Sequence, residues 1–251
     1  MSASTPDSRI LVRGVYGHDT SDTGYTLQVR AGFNTFDANP DRATLDSLGA
    51  AGVKAFVWLG AYSNTTCSWE HGDAWIRDRV QSVAGSSAVL AYYLGDEPLA
   101  GRCPQAPAMF KARTGLVHQI APGQPTLTVI SAFDSGKSYP YAIWKGTTDI
   151  LGFDIYPCRQ GVTGCSFDRI DAAIEAIRAA GIDRYWAVIQ AFEDSYYRLP
   201  TPEELHEEFQ HWRRSDMSGY LVFSWNYLNV NLEDRHEVVD QLRAENAISL
   251  G

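Results

Sequence analysis

Short apolar runs recur along the chain, each giving way to a polar, amphipathic stretch. The runs are rich in β-branched and aromatic residues, which predicts strands. They cover 10–17, 33–38, 53–60, 89–95, 126–133, 149–156, 185–192 and 219–226. Between them apolar positions fall at helical spacing. Ile170, Ile174 and Ile177 share one face of 168–180, and Gly181 ends that helix. Thr201-Pro202-Glu203-Glu204 is a capping box with Pro at the first helical position, followed by a Leu205, Phe209, Trp212 stripe. Residues 43–52, 75–83 and 105–120 read the same way.

Strands alternating with helices predict a parallel sheet. Eight such units in 251 residues match an α/β single (β/α)8 TIM barrel. An open doubly wound sheet is the alternative, but no Gly-rich phosphate loop follows the first run. Residues 1–9 read as a polar tail and 10–251 as one barrel catalytic domain.

Composition changes the picture in three ways. The net charge of −9, with no basic stripe, argues against nucleic acid as a partner. No apolar run is long enough to span a membrane, and the first residues lack the basic-then-apolar pattern of a leader. Four cysteines, two in PCRQGVTGC and two after predicted strands, suggest disulfides Cys67–Cys103 and Cys158–Cys165 in neighbouring loops. That pairing implies a secreted or periplasmic protein; unpaired thiols are the alternative.

In such barrels the active site lies at the carboxyl ends of the strands. Those ends carry His18-Asp19, Asp37, Trp58, Asp96-Glu97, Asp154 with Tyr156, Gln190 leading to Glu193-Asp194, and Trp225. Carboxylates, hydrogen-bonding groups and Trp together suit a sugar. A carboxyl group at an apolar mouth can serve as a general acid. The alternative for Asp96-Glu97-Pro98 is a helix N-cap.

At these residues the chain resembles clan A glycoside hydrolases. VQSVAGSSAVLAYYLGDEP looks like their fourth strand, which ends in Asn-Glu-Pro; the match to their acid/base Glu is Glu97, with Asp96 at the Asn position. DILGFDIYP resembles their sixth strand, with Tyr156 as the orienting Tyr. LVFSWN resembles their eighth, with Trp225 as the sugar floor. The segment from RYWAVIQAF to LVFSWN is similar to a set of glycosidase-like barrel domains. One departure stands out: the strand-seven nucleophile position holds Gln190, and an amide cannot be that nucleophile.

The resemblance implies a secreted glycoside hydrolase cleaving O-glycosidic bonds of a poly- or oligosaccharide. Glu97 is the expected general acid, and Asp154 or Glu193 the second carboxylate. Asp96, Tyr156, Gln190, Trp225, His18, Asp19, Asp37 and Trp58 are expected to bind substrate. No metal and no cofactor are implied, and a monomer is expected. Two alternatives stay open: a non-catalytic carbohydrate-binding barrel, suggested by Gln190, and a metal-dependent hydrolase or isomerase using His18, Asp19, Asp37 and Glu97.

Overall fold

Eight parallel strands pair in sequence order, and the last pairs with the first, closing a barrel. They are β1 (Val12–Val15), β2 (Thr35–Ala38), β3 (Lys54–Trp58), β4 (Val89–Asp96), β5 (Thr126–Ser131), β6 (Ile150–Asp154), β7 (Tyr185–Gln190) and β8 (Gly219–Phe223). The computed structural model describes residues 12–17, 24–134, 136–228 and 230–248. The tail at 1–9 lies outside them.

Both faces of each strand are covered, so the strands are apolar without alternation. Two buried clusters result. One fills the barrel, with Phe56, Tyr93, Leu127, Trp186 and Leu221 among its members. The other lies between the barrel and its surrounding helices. At the closing seam the strands approach too closely for a side chain. A Cβ on Gly219 would sit 2.6 Å from Val12 Cβ and 3.0 Å from the Val12 carbonyl oxygen.

Seven α-helices surround the barrel among the described residues: α1 (Gly24–Arg30), α2 (Arg42–Ala50), α3 (Asp73–Val83), α4 (Ala106–Ile120), α5 (Asp168–Ala179), α6 (Pro202–Trp212) and α7 (His236–Ala247). Between β5 and β6 a single 3-10 turn, Ala142–Trp144, takes the place of a helix. Its fully buried Trp144 covers the strands there, edge-on to Phe110 of α4. No helix of the described residues is long and apolar enough to cross a membrane.

The capping box of α6 is complete. Glu204 N–H donates to Thr201 Oγ1 (3.3 Å), and Thr201 N–H donates to the Glu204 carboxylate (2.9 Å). Replacing Thr201 by Ala is expected to cost about 1 kcal/mol of stability. A lowered denaturant midpoint at unchanged slope would show it; an unmoved midpoint would mean the cap is redundant.

Two disulfides lie on the mouth side of the barrel. Cys67–Cys103 ties the loop after β3 to the loop after β4, and Cys158–Cys165 closes a short loop after β6.

Candidate functional site

The carboxyl ends of the strands form one mouth. A cleft of about 560 Å³ opens there, lined by Asp96, Glu97, Asp154, Tyr156, Arg159, Arg169 and an aromatic wall of Phe192, Tyr197, Phe223 and Tyr227. A second recess of about 450 Å³, lined by Asp37, Asn39 and Trp58, shares Tyr16, Asp96 and Phe223 with it. The two form a continuous groove across the barrel, floored by Tyr16, which packs against Phe56 and Phe223.

Asp96 reaches the groove through a fault in β4. Residues three apart on a regular strand face opposite sides. The pairing of β4 with β5 shifts register between Tyr93 and Gly95. Such irregularities re-aim side chains. Asp96 therefore turns to the side of Tyr93, whose hydroxyl donates to its carboxylate at 2.5 Å. Tyr16 Oη lies 3.4 Å from Tyr93 Oη and extends the chain.

Asp96 is open to the groove yet ringed by protein. Lost hydration pushes its pKa up to about 6, with the charge of Glu97 adding and the Tyr93 hydroxyl opposing. The folded chain thus holds this proton up to about 6, whereas the unfolded chain releases it near 3.8. The stabilisation is complete below 3.8 and is lost as pH rises to about 6. Asp96→Asn should remove that fall, so melting curves of variant and wild type should diverge across this window. Parallel curves would mean Asp96 titrates as an ordinary carboxylate.

Glu97 follows in an unusual conformation. Its φ is +41°, the left-handed region that side-chain-bearing residues rarely adopt. Its N–H donates to the Val129 carbonyl (3.0 Å), and its carbonyl accepts from Asn64 Nδ2 (2.9 Å). Asn64 Oδ1 in turn accepts from Leu99 N–H (2.7 Å). Asn64 lies three residues before Cys67, so the disulfide loop after β3 holds the backbone of Glu97.

Asp154 is the last residue of β6. It is only 6% exposed, and its side chain is within hydrogen-bonding reach of the Glu97 carboxyl group. Burial, then the charge and contact of Glu97, then Asp96, raise the Asp154 carboxyl well above the usual carboxylate range. The Tyr156 hydroxyl is likewise raised, first by burial and then by the charges of Asp154, Asp96 and Glu97.

The remaining expected site residues are placed differently. Gln190 does not touch the groove. It is fully buried, and its amide is consumed by backbone: it accepts from Cys158 N–H (3.0 Å) and donates to the carbonyls of Cys158 (2.9 Å) and Arg198 (2.8 Å). Trp225 is not a sugar floor. It is 1% exposed, packs edge-on against Phe33, and directs Nε1 toward Glu233. Glu193 is exposed outside the cleft lining. Asp194 does line the cleft, but Oδ1 accepts from Tyr196 and Tyr197 N–H in a turn. Asp37 lines the groove and accepts from Gly17 N–H (3.0 Å). His18 and Asp19 lie outside the described residues.

Phe192, Phe223, Tyr227 and the two arginines were not singled out by sequence, whereas Tyr197 reads from sequence as a rim residue or solvated loop. Phe192 and Phe223 each lie beside a residue that was: Phe192 precedes Glu193, and Phe223 lies two before Trp225. Phe192 lies just past the end of β7, where alternation no longer applies, and Phe223 is the last residue of β8.

No family model matches the chain, and no curated protein matches it. Solved structures do match. A β-galactosidase from the psychrophilic Marinomonas ef1 superposes with a TM-score of 0.66 at 11% identity, covering 94% of this chain and 59% of that one. A GH2 β-galacturonidase from Eisenbergiella tayi bound to galacturonate gives 0.64 at 13%, covering 94% and 51%. A β-glucuronidase from Bifidobacterium dentium gives 0.60 at 13%, covering 94% and 46%. The chain thus shares the barrel of these glycoside hydrolases and spans roughly half their length.

Proposed function

We propose that the chain is a glycoside hydrolase whose chemistry rests on the Glu97–Asp154 pair. The observation that carries this reading is the contact of those two carboxyl groups at the mouth of the barrel, beneath an aromatic-walled groove. Cleavage of a glycosidic bond needs one carboxyl group to protonate the departing oxygen and a carboxylate to meet the charge left on the sugar. Glu97, the exposed member, faces the groove and serves as the general acid. As the C–O bond breaks, the Glu97 proton goes to the leaving oxygen; a water then bonds to the sugar carbon and its proton returns to Glu97. The aromatic wall supplies stacking surface for sugar rings. Asp96, steadied by Tyr93, supplies a hydrogen-bond acceptor at the same place.

Two disulfides support an oxidising compartment, hence a secreted protein. The barrels it resembles include enzymes named for galactoside, galacturonide and glucuronide cleavage, which agrees with a saccharide substrate.

The test is release of new reducing ends from a broad panel of polysaccharides, with Glu97→Gln in parallel. Release by the native chain alone supports the reading; no release from any substrate overturns it. Activity should also fall as pH rises, since a general acid must carry its proton. A flat profile would remove the pair from the chemistry. The second reading, a carbohydrate-binding barrel without turnover, is favoured by one observation: β7 brings no carboxylate to the groove. Saturable sugar binding without cleavage would establish it.

A further inference from the structure

The acidic residues of the groove account for acid–base work, but they leave two cations in its lining unexplained. Arg159 and Arg169 line the main cleft. Arg159 is exposed and its guanidinium has no ion-pair or hydrogen-bond partner among the described residues. Arg169, on the first turn of α5, donates Nη1 to the Tyr156 carbonyl (3.2 Å) and forms no ion pair among the described residues. Both therefore have donors to spare on the Tyr156 side of the groove, in a chain whose net charge is −9.

The backbone that carries Arg159 is held unusually firmly. Its neighbour Cys158 is bonded by disulfide to Cys165. Gln190 grips Cys158 through both N–H and carbonyl. Arg159 itself forms a β-bridge with Tyr197 of the aromatic wall. The amide in place of a strand-seven carboxylate thus serves to fix this loop. An amide can both accept from the N–H and donate to the carbonyl, whereas an ionised carboxylate can only accept.

We infer that Arg159 and Arg169 form a subsite for the carboxylate of a hexuronic acid, so that the substrate of the proposed glycosidase is an acidic saccharide. A guanidinium offers paired donors in the plane a carboxylate accepts. A neutral hexose would leave both cations unpaired against its hydroxymethyl group. The inference rests on the proposed glycosidase reading for turnover but not for binding.

Two measurements separate them. In the first, kcat/KM is compared on uronic-acid polymers and on the same polymers with the carboxyl reduced to the alcohol. The native chain should prefer the acidic form, and Arg159→Ala or Arg169→Met should each shrink that preference roughly 10- to 100-fold. Arg159→Lys, which keeps charge but not the fork, should fall between. In the second, uronic-acid oligomers, their reduced counterparts and sulfated neutral oligomers are titrated into full-length Glu97→Gln, with and without each Arg substitution. Selective binding of the uronic-acid oligomers, lost in folded Arg variants, supports the subsite even if no polymer is cleaved. Equal handling of acidic and reduced sugars, preference for sulfated sugars, or a preference that survives both substitutions would overturn it. Cleavage of reduced polymer alone would overturn the subsite while leaving the glycosidase reading intact.

Discussion

Glu97→Gln is expected to lower turnover about 10²- to 10⁴-fold, the span of a positioned general acid. The fold should be untouched. What holds residue 97 is backbone: its N–H on Val129 and its carbonyl on Asn64, both independent of the side chain. The amide has nearly the same shape and reaches the same groove. Only the exchangeable proton is gone. Asp154 also loses the neighbouring charge and contact that help raise its carboxyl, so any residual activity should show an altered pH profile. Asp154→Asn should be comparably damaging, because it removes the carboxyl group in contact with Glu97. Turnover near that of the native chain in Glu97→Gln, measured on a substrate cleaved by the native chain, would take Glu97 out of the chemistry.

Gln190→Glu is the second large effect, and it acts on stability. The change looks like restoration of a missing nucleophile. In this structure it is the burial of an unmatched charge. Gln190 is fully buried and donates to two carbonyl oxygens, of Cys158 and Arg198. A carboxylate there would face both oxygens with no proton to offer. Its backbone N–H already donates to Glu208 (2.9 Å), a buried carboxyl raised well above its usual range by lost hydration. An uncompensated buried charge costs about 3–5 kcal/mol. The sign with pH follows. The introduced carboxyl would be raised in the folded state, so the penalty should be smallest in acid and grow as pH climbs above about 4.3, where the unfolded chain ionises. Activity should fall with the loosening of the Arg159 loop. A variant as stable as the native chain, or more active, would show that position 190 reaches the groove after all.

These two positions also mark what a sequence discloses. The barrel was legible because strands buried on both faces must be apolar throughout, and eight such runs stand out between amphipathic stretches. All eight match a barrel strand to within three residues at either end. Residues that end strands were legible for the same reason: Asp96, Glu97, Asp154 and Tyr156 follow apolar runs, and the fold carries them to the mouth. Direction was not legible where regular geometry stops. The register fault in β4 that turns Asp96 toward Tyr93 leaves no mark in composition. Trp225 is one residue past Ser224, beyond the end of β8, where alternation gives no face. Gln190 sits on β7 itself, yet its role is set by a loop thirty-odd positions away in the chain. The contact of Glu97 with Asp154 joins β4 to β6 across the barrel mouth and has no local signature. The missing helix between β5 and β6 was equally hidden, because a 3-10 turn with one buried Trp stands there instead.

The seam between β1 and β8 has a bearing on how the chain comes to its native state. Val12 lies opposite Gly219, so the cylinder cannot be completed until β8 is available. Until then β1 and the newest strand both present unpaired edges, which invite association with other chains. Pairing between such distant segments makes for slow folding. The Cys67–Cys103 bond escapes this order, because both its loops exist once β4 has been made. It can staple the half of the barrel that bears Glu97 before the other half, with Asp154, is in place. The first half of the site is then assembled covalently and the second by closure of the cylinder.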